Sequence, residues 1–443
     1  MKRRNFRALS RSLATRITAL TLPAALAVAV GAGAVGAGCS GGDGSADGSG
    51  SDASRSATGD VDPSGAIVSR DASPAADGTA AESDGGERSD ARSMEDGAVA
   101  EDASRDALAD AAPVDAGTDA PVGLGLDCGD AGAPNAGPAP LNLGCTGLYA
   151  SWPSRTLSAS VMPFDPGLHL WSDGATKARY IELPPGTKID TTDMDEWKFP
   201  VGTKLWKEFS LGGKKVETRF LWKQASGAWL KTTYQWSSDQ QSATELTTGA
   251  KDVWGTGYEI PDQYACTTCH EGRLDYVLGF EAIGLSSPAA SGLTMAKLVQ
   301  LGLVTDAPAA PIVIPGNATE QAALGWLHAN CGTSCHSGSD NAYARSTELW
   351  MRLTTKTIAT VTGTDTYQRT VGPTGQGIDA TFKPADGTVL KRIKPHDPAH
   401  SCVTYRDSRR DQADEGNQMP PIGTHVVDTA GVQLVTNWIN AMP

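Results

Sequence analysis

Cys266-Thr267-Thr268-Cys269-His270 constrains this chain more than any other stretch. In the C-x-x-C-H pattern two thiols bond to the vinyl groups of a haem and the following histidine ligates its iron. The spacing has a mechanical reason. Two intervening residues let both sulfurs reach one porphyrin edge, and an imidazole directly after them lies under the metal. The competing readings are a zinc half-site, which wants a second pair of Cys or His ligands, and a surface disulfide. Covalent haem, and with it electron transfer, is the leading expectation.

Cys331-Gly332-Thr333-Ser334-Cys335-His336 is the same pattern with one residue more. The extra residue can bulge; the alternative is a disulfide, either Cys331–Cys335 or one of the two with Cys402. A well-marked helix before the motif and Met419-Pro420-Pro421 after it favour a second haem. Cys128 and Cys145 bracket a Gly/Pro/Ala-rich loop and are expected to pair in an oxidising compartment. Cys402 is left over, as a free thiol or an intermolecular partner.

The oxidising compartment is read from the leader. Residues 1–39 carry six basic residues and no acid, with an apolar run from Ile17 to Val35 that is too short and Gly/Ala-rich for a membrane span. Gly36-Ala37-Gly38-Cys39-Ser40 resembles a bacterial lipobox, which implies lipidation of Cys39, although Gly36 stands where Leu is usual. Ser40 resembles an outer-membrane address. Arg3-Arg4-Asn5-Phe6 resembles a twin-arginine signal. That route carries folded proteins, whereas haem is attached outside the cytoplasm to an unfolded chain, so these arginines read as an ordinary charged n-region.

Residues 40–124 form an acidic Ser/Gly/Ala/Asp linker, with 19 acids against 5 bases between 40 and 120 and no aromatic residue. Such a segment buries too little apolar surface to offset its chain entropy and is expected to be a disordered tether. The linker carries most of the chain's net charge of −14. The remainder is only mildly acidic, which argues against nucleic acid as a partner.

All eleven tryptophans lie at or after Trp152. Residues 125–260 alternate apolar and polar positions at strand period, with turn signals at Leu211-Gly212-Gly213-Lys214 and Ala225-Ser226-Gly227-Ala228. The seven tryptophans from Trp171 to Trp254 are expected to fill a sandwich core rather than to form a binding surface. From Pro261 the pattern turns helical. Residues 261–316 form a first haem-attachment module, with a helical stretch from Leu293 to Leu303. Asn317-Ala318-Thr319-Glu320 is a capping box opening a helix that runs to Cys331. Asp428 caps a last helix with Val432, Leu434, Val435, Trp438 and Ile439 on one face.

This order resembles a class I cytochrome c domain over residues 317–443. The resemblance implies His336 as the proximal iron ligand and Met419 as the distal one, a thioether that raises the potential. The 82 residues between them exceed the usual loop and imply an insertion within 340–415. Residues 160–443 also resemble a group of bacterial secreted di-haem cytochrome c-like proteins. That likeness is carried by Trp171-Ser172-Asp173-Gly174-Ala175, Phe199-Pro200-Val201-Gly202-Thr203, Glu217-Thr218-Arg219, the first motif and Leu327-His328-Ala329-Asn330-Cys331.

The expected fold is α+β: a β-rich, sandwich-like domain followed by an all-α cytochrome c-like di-haem region. The expected protein is a periplasm-facing outer-membrane lipoprotein holding two covalent haems c. It would relay single electrons to redox protein partners and touch the membrane only through its lipid. It reads as an electron carrier more than an enzyme. One rival is a di-haem peroxidase-like oxidoreductase with an open first haem; the other is a non-redox ligand-binding surface lipoprotein. They differ in what faces the iron opposite His270, for which His169, His328 and Met295 are candidates. His328 otherwise reads as a satisfied helix-surface histidine. His396 and His400 flank Asp397-Pro398 but lack a third metal ligand of matching spacing.

Overall fold

Strand-period alternation builds one continuous sheet in the computed structural model, which describes Leu126, Cys128 and residues 134–152, 154–411 and 415–443. The leader, the linker and Cys39 lie outside the described residues. The strands are β1 (Tyr149–Ser151), β2 (Thr156–Leu157), β3 (Met162–Asp165), β4 (Thr176–Glu182), β5 (Lys204–Leu211), β6 (Lys214–Lys223), β7 (Trp229–Trp236), β8 (Ala243–Glu245) and β9 (Ser291–Gly292). β1 and β2 form a two-stranded ribbon. The other seven form an antiparallel sheet in the order β8-β7-β6-β5-β4-β3-β9. The β5–β6 hairpin turns at Gly212 and Gly213, both at positive φ (54° and 79°), as a tight turn between right-twisted strands requires.

Period 2 sorts the side chains of the sheet into two faces. One face carries Trp206, Phe220, Tyr234 and Trp236, which pack with Leu143, Leu148, Tyr149 and Trp152 from the segment before β3. Each such ring contributes about 2 kcal/mol by leaving water. The opposite face is divided. Ile181, Leu205 and Trp229 pack beneath Val277, Phe280, Leu285 and Leu298 at one end, and Phe209 and Val216 meet Val253, Tyr258 and Ile260 at the other.

The helices are α1 (Gln263–His270), α2 (Ala282–Leu285), α3 (Met295–Gln300), α4 (Ala318–Leu327), α5 (Asp365–Thr370), α6 (Cys402–Asp407) and α7 (Thr429–Ala441). α4 opens on the expected capping box. Asn317 Oδ1 accepts the Thr319 and Glu320 amides at 2.9 and 3.1 Å, and Glu320 Oε2 accepts the Asn317 amide at 2.8 Å. Asp428 caps α7 by accepting the Gly431 amide at 2.9 Å. α4 and α7 pack together over Leu324, Leu327, Val435, Trp438 and Ile439. Gly431 lies so close under Trp326 that a Cβ there would fall 2.0 Å from the indole nitrogen.

Two parts of the expected fold class are corrected. The β region is not a sandwich: one large sheet is covered by segments and short helices rather than by a second sheet. Nor is an all-α cytochrome region present. The described chain is about 24% helical, so irregular segments carry most of the second half. Among the described residues between α4 and α7, only α5 and α6, of six residues each, and shorter turns interrupt those segments. The physical reason is that residues 337–428 bury their apolar positions singly, as Leu349, Met351, Leu353, Leu390 and Ile393 do, without a helical period that would present a stripe. Among the described residues no helix is long and apolar enough to cross a membrane.

Candidate functional site

α1 ends the first motif. Asp262 Oδ1 accepts the Ala265 amide at 2.8 Å and starts the helix, which brings Cys266, Cys269 and His270 onto its last two turns. His270 Nδ1 lies 2.5 Å from the Tyr276 carbonyl oxygen. A carbonyl only accepts, so Nδ1 carries the proton and Nε2 keeps its lone pair. Burial lowers the pKa of His270 to about 4, with Lys207, Lys231 and Arg219 adding to the effect against the Tyr276 bond. The ring is neutral at pH 7, as a metal-binding imidazole must be.

The second motif solves its extra residue by widening a turn. The Thr333 amide bonds to the His328 carbonyl at 2.8 Å, and the His336 amide bonds to the Cys331 carbonyl at 2.9 Å. Both span five residues, so the helix after Leu327 runs on as a π-turn. Its effect is to bring Cys331, Cys335 and His336 into the lining of one cavity. Met419, Trp171 and Trp326 also line that cavity. His336 Nδ1 donates to the Leu349 carbonyl at 2.8 Å, the same arrangement as at His270. Burial again takes the pKa to about 4, aided by Arg406 and Arg392 and opposed by the Leu349 bond.

All four motif cysteines are free thiols, so neither a Cys331–Cys335 bridge nor a bridge to Cys402 forms. Burial raises the pKa of each: Cys269 to about 11, Cys331 well above the ordinary thiol value, and Cys266 and Cys335 also upward. These sites disfavour the thiolate that zinc binding or nucleophilic chemistry uses, while a neutral thioether suits them. Cys128 and Cys145 are disulfide-bonded, as expected. Cys402 is not a free thiol: it is disulfide-bonded and fully buried.

The two motifs, distant in sequence, touch. Ser334 Oγ donates to the Cys269 carbonyl at 2.8 Å, and Ser337 Oγ donates to the Gly272 carbonyl at 2.9 Å. The loops after them also share an anchor. Arg273 Nη2 donates to the Asp195 carbonyl at 2.9 Å, and Arg352 donates to that same carbonyl and to Glu196. The residues around Trp171 join the second site. Asn330 Oδ1 accepts the Trp171 amide at 2.6 Å, and the Asp173 carboxylate accepts the His425 and Val426 amides. Trp171 is therefore cavity wall, whereas Trp197, Trp206, Trp229 and Trp236 are core.

No protein-family model, curated protein or solved structure matches the chain.

The three residues expected from the sequence to face His270 across an iron are all engaged elsewhere. His169 is exposed and paired with Asp165 at 2.6 Å, and Met295 is buried in the core with Leu298. His328 is not a surface histidine: it is 1% exposed. Its Nδ1 accepts the Leu353 amide at 2.9 Å, which leaves the proton on Nε2, 3.4 Å from Glu281 Oε1. His400 pairs with Asp397 and His396 Nδ1 lies 3.3 Å from the Asn440 carbonyl oxygen. Among the described residues no group of three or more His, Cys, Asp or Glu could hold a metal ion by itself; a porphyrin-held iron asks the protein for only one or two ligands.

Asp407 also lines the cavity at the second motif. Burial raises its carboxyl pKa to about 7, Asp428 adds to this, and Arg410 and Arg406 oppose it. A carboxyl whose folded pKa lies above its unfolded value binds the proton more tightly when folded, so its contribution to stability falls as pH rises from about 4 to about 7. Asp407→Asn is therefore expected to melt above the parent at pH 8 and level with it at pH 4, measured by thermal denaturation at both.

Proposed function

We propose that this chain is a di-haem c-type cytochrome that relays single electrons, one haem bound through Cys266, Cys269 and His270 and the other through Cys331, Cys335 and His336. The observation that carries the reading is the matched histidine pair. Each imidazole gives its Nδ1 proton to a backbone carbonyl and keeps Nε2 for a metal, directly after two neutral, unbridged thiols. Met419, which lines the cavity at the second motif, would supply a thioether as a further ligand there. Haem iron contributes a one-electron couple. The protein's part is to fix the imidazoles, to bury the thioethers and to hold the two attachment segments against each other through Ser334 and Ser337. On this reading the leader sends the protein to the periplasmic face of the outer membrane, where small redox proteins would be its partners.

A haem stain on a denaturing gel, with the intact mass and a reduced-minus-oxidised spectrum, tests this on protein exported through a haem-attachment system. Two covalent haems are expected, and the double variant Cys266→Ala with Cys269→Ala should retain one. No covalent haem in the parent chain would overturn the reading and leave a non-redox lipoprotein.

A further inference from the structure

The face of the sheet between its two apolar clusters carries a block of cations. Lys177 and Arg179 stand two apart on β4, Arg179 lies opposite Lys207 of β5, and Lys207 lies opposite Arg219 of β6. Like charges in that relation repel, so the block calls for acids. Two members have them: Arg179 Nη1 meets Asp165 at 3.1 Å and Arg219 Nη2 meets Glu217 at 2.7 Å. The two lysines pair with no carboxylate among the described residues. Lys177 Nζ donates to the Leu170 carbonyl at 2.6 Å, and the Lys207 ammonium faces the Phe209 ring at 5.3 Å. Burial, then Arg179 and Arg219, lower the Lys177 pKa to about 7, against Asp428 and Asp165. Burial, Arg179, Lys177 and Arg219 hold Lys207 well below the ordinary lysine value, against Glu217. The charges suppress one another for want of an anion.

The block borders two adjoining spaces. Lys177 and Arg179 line a cleft of about 570 Å³, within the ordinary range for small-molecule sites. Arg179 and Lys207 line a smaller inner cavity, and Leu168, Leu170 and Arg179 are common to both. Across the cleft from the cations stand Ala322 and Trp326 of α4 and Leu434 of α7. Trp171 and Trp326 form the partition from the cavity at the second motif. Both indoles are pinned, Trp171 Nε1 to the Val426 carbonyl and Trp326 Nε1 to Asp428, each at 2.8 Å, so these walls are preformed. The acids of the two linings are already engaged. Asp428 also takes the Gly431 amide, and Glu281 takes the Ile283 and Gly284 amides. None of the motif cysteines or motif histidines lines either space.

From this placement we infer that the cleft binds a small organic carboxylate. Its acid group sits at Arg179, flanked by Lys177 and Lys207, and its apolar body lies along Leu168, Trp326 and Leu434. An inorganic anion would answer the charges but leave the apolar walls unused.

Isothermal titration calorimetry of the full chain with benzoate, hexanoate, their neutral amides and inorganic phosphate tests this. Saturable binding of benzoate or hexanoate is expected, at least about tenfold tighter than that of the matching amide, the scale of one hydrogen bond to a charged group. Lys177→Met should weaken the acid by at least about tenfold and leave the amide unchanged. Ala322→Leu narrows the cleft without touching a charge and should abolish binding of the acid. Thermal melting shows that each variant is folded. No saturable binding of either acid to the parent chain overturns the inference, as does an amide that binds equally well. Phosphate binding as tightly as the acids, or acid binding unchanged in Ala322→Leu, would reduce the block to an inorganic-anion site and overturns the organic ligand. Binding that appears only in the double variant Cys331→Ala with Cys335→Ala would assign the block to a carboxylate of a bound haem, which overturns a free ligand.

Discussion

Gly272→Ala should destabilise the protein by about 3 kcal/mol, at the upper end of what overpacking commonly costs. A Cβ at this position would lie 1.9 Å from the Ser334 carbonyl oxygen and 2.9 Å from its carbon. Both are backbone atoms, so no rotamer change relieves the clash; the chain around one motif or the other has to move. The glycine is required by close approach rather than by its own backbone angle, because Gly272 is not among the positive-φ residues. The same movement would break the Ser334 bond to Cys269 and the Ser337 bond to Gly272. Urea denaturation of parent and variant measures the cost. A loss under about 1 kcal/mol would mean that the two motifs are not held in this contact.

Glu281→Ala is expected to cost about 4 kcal/mol, the range seen when one member of a buried pair is removed. Glu281 is 6% exposed and accepts the Ile283 amide at 2.7 Å and the Gly284 amide at 2.5 Å, which caps α2. It also faces the proton-bearing Nε2 of His328. Alanine would leave all three donors buried without an acceptor, whereas Glu281→Gln keeps an oxygen and should lose distinctly less. Burial opposes the charge on Glu281, yet His328, Arg273 and the Gly284 amide more than offset it and lower the carboxyl pKa to about 2. A carboxylate lowered on folding stabilises fully above its unfolded pKa and loses that contribution as pH falls through the folded one. The parent should therefore lose stability between about pH 4 and pH 2 more steeply than Glu281→Gln. Parallel slopes in acid titrations of the two proteins would rule out the pairing.

Features written in a few adjacent residues were legible in the sequence. The capping box at Asn317 and the turn at Gly212-Gly213 are of this kind, since each is specified by local spacing and chemistry, and the Cys128–Cys145 pair was legible from the loop it brackets. The extra residue between Cys331 and Cys335 needed only a π-turn. What depended on coverage was not legible. Alternation along β5 and β6 says that a strand has two faces but not what lies on them, so the sheet read as half of a sandwich although short helices and segments cover it. Helical signals at both ends of residues 317–443 likewise said nothing of the irregular chain between them. The row of Arg179, Lys207 and Arg219 is invisible until strand register is known, because the three are scattered through forty residues. His328 looked like a surface residue because its acceptor, Glu281, lies 47 positions away.

The loop at Asp195–Glu196 gives the molecule a single mechanical strut. Arg273, just past the first motif, and Arg352, beyond the second, both grip the Asp195 carbonyl. Asp195 in turn receives the Thr355 amide and hydroxyl at 2.6 and 3.0 Å. A hinge that freed one motif would have to pull against bonds that also hold the other, so neither can swing out alone. If each motif holds a haem, as proposed, the spacing between the two would be kept constant while the outer surface met a partner. The internal step would then be insulated from the docking step.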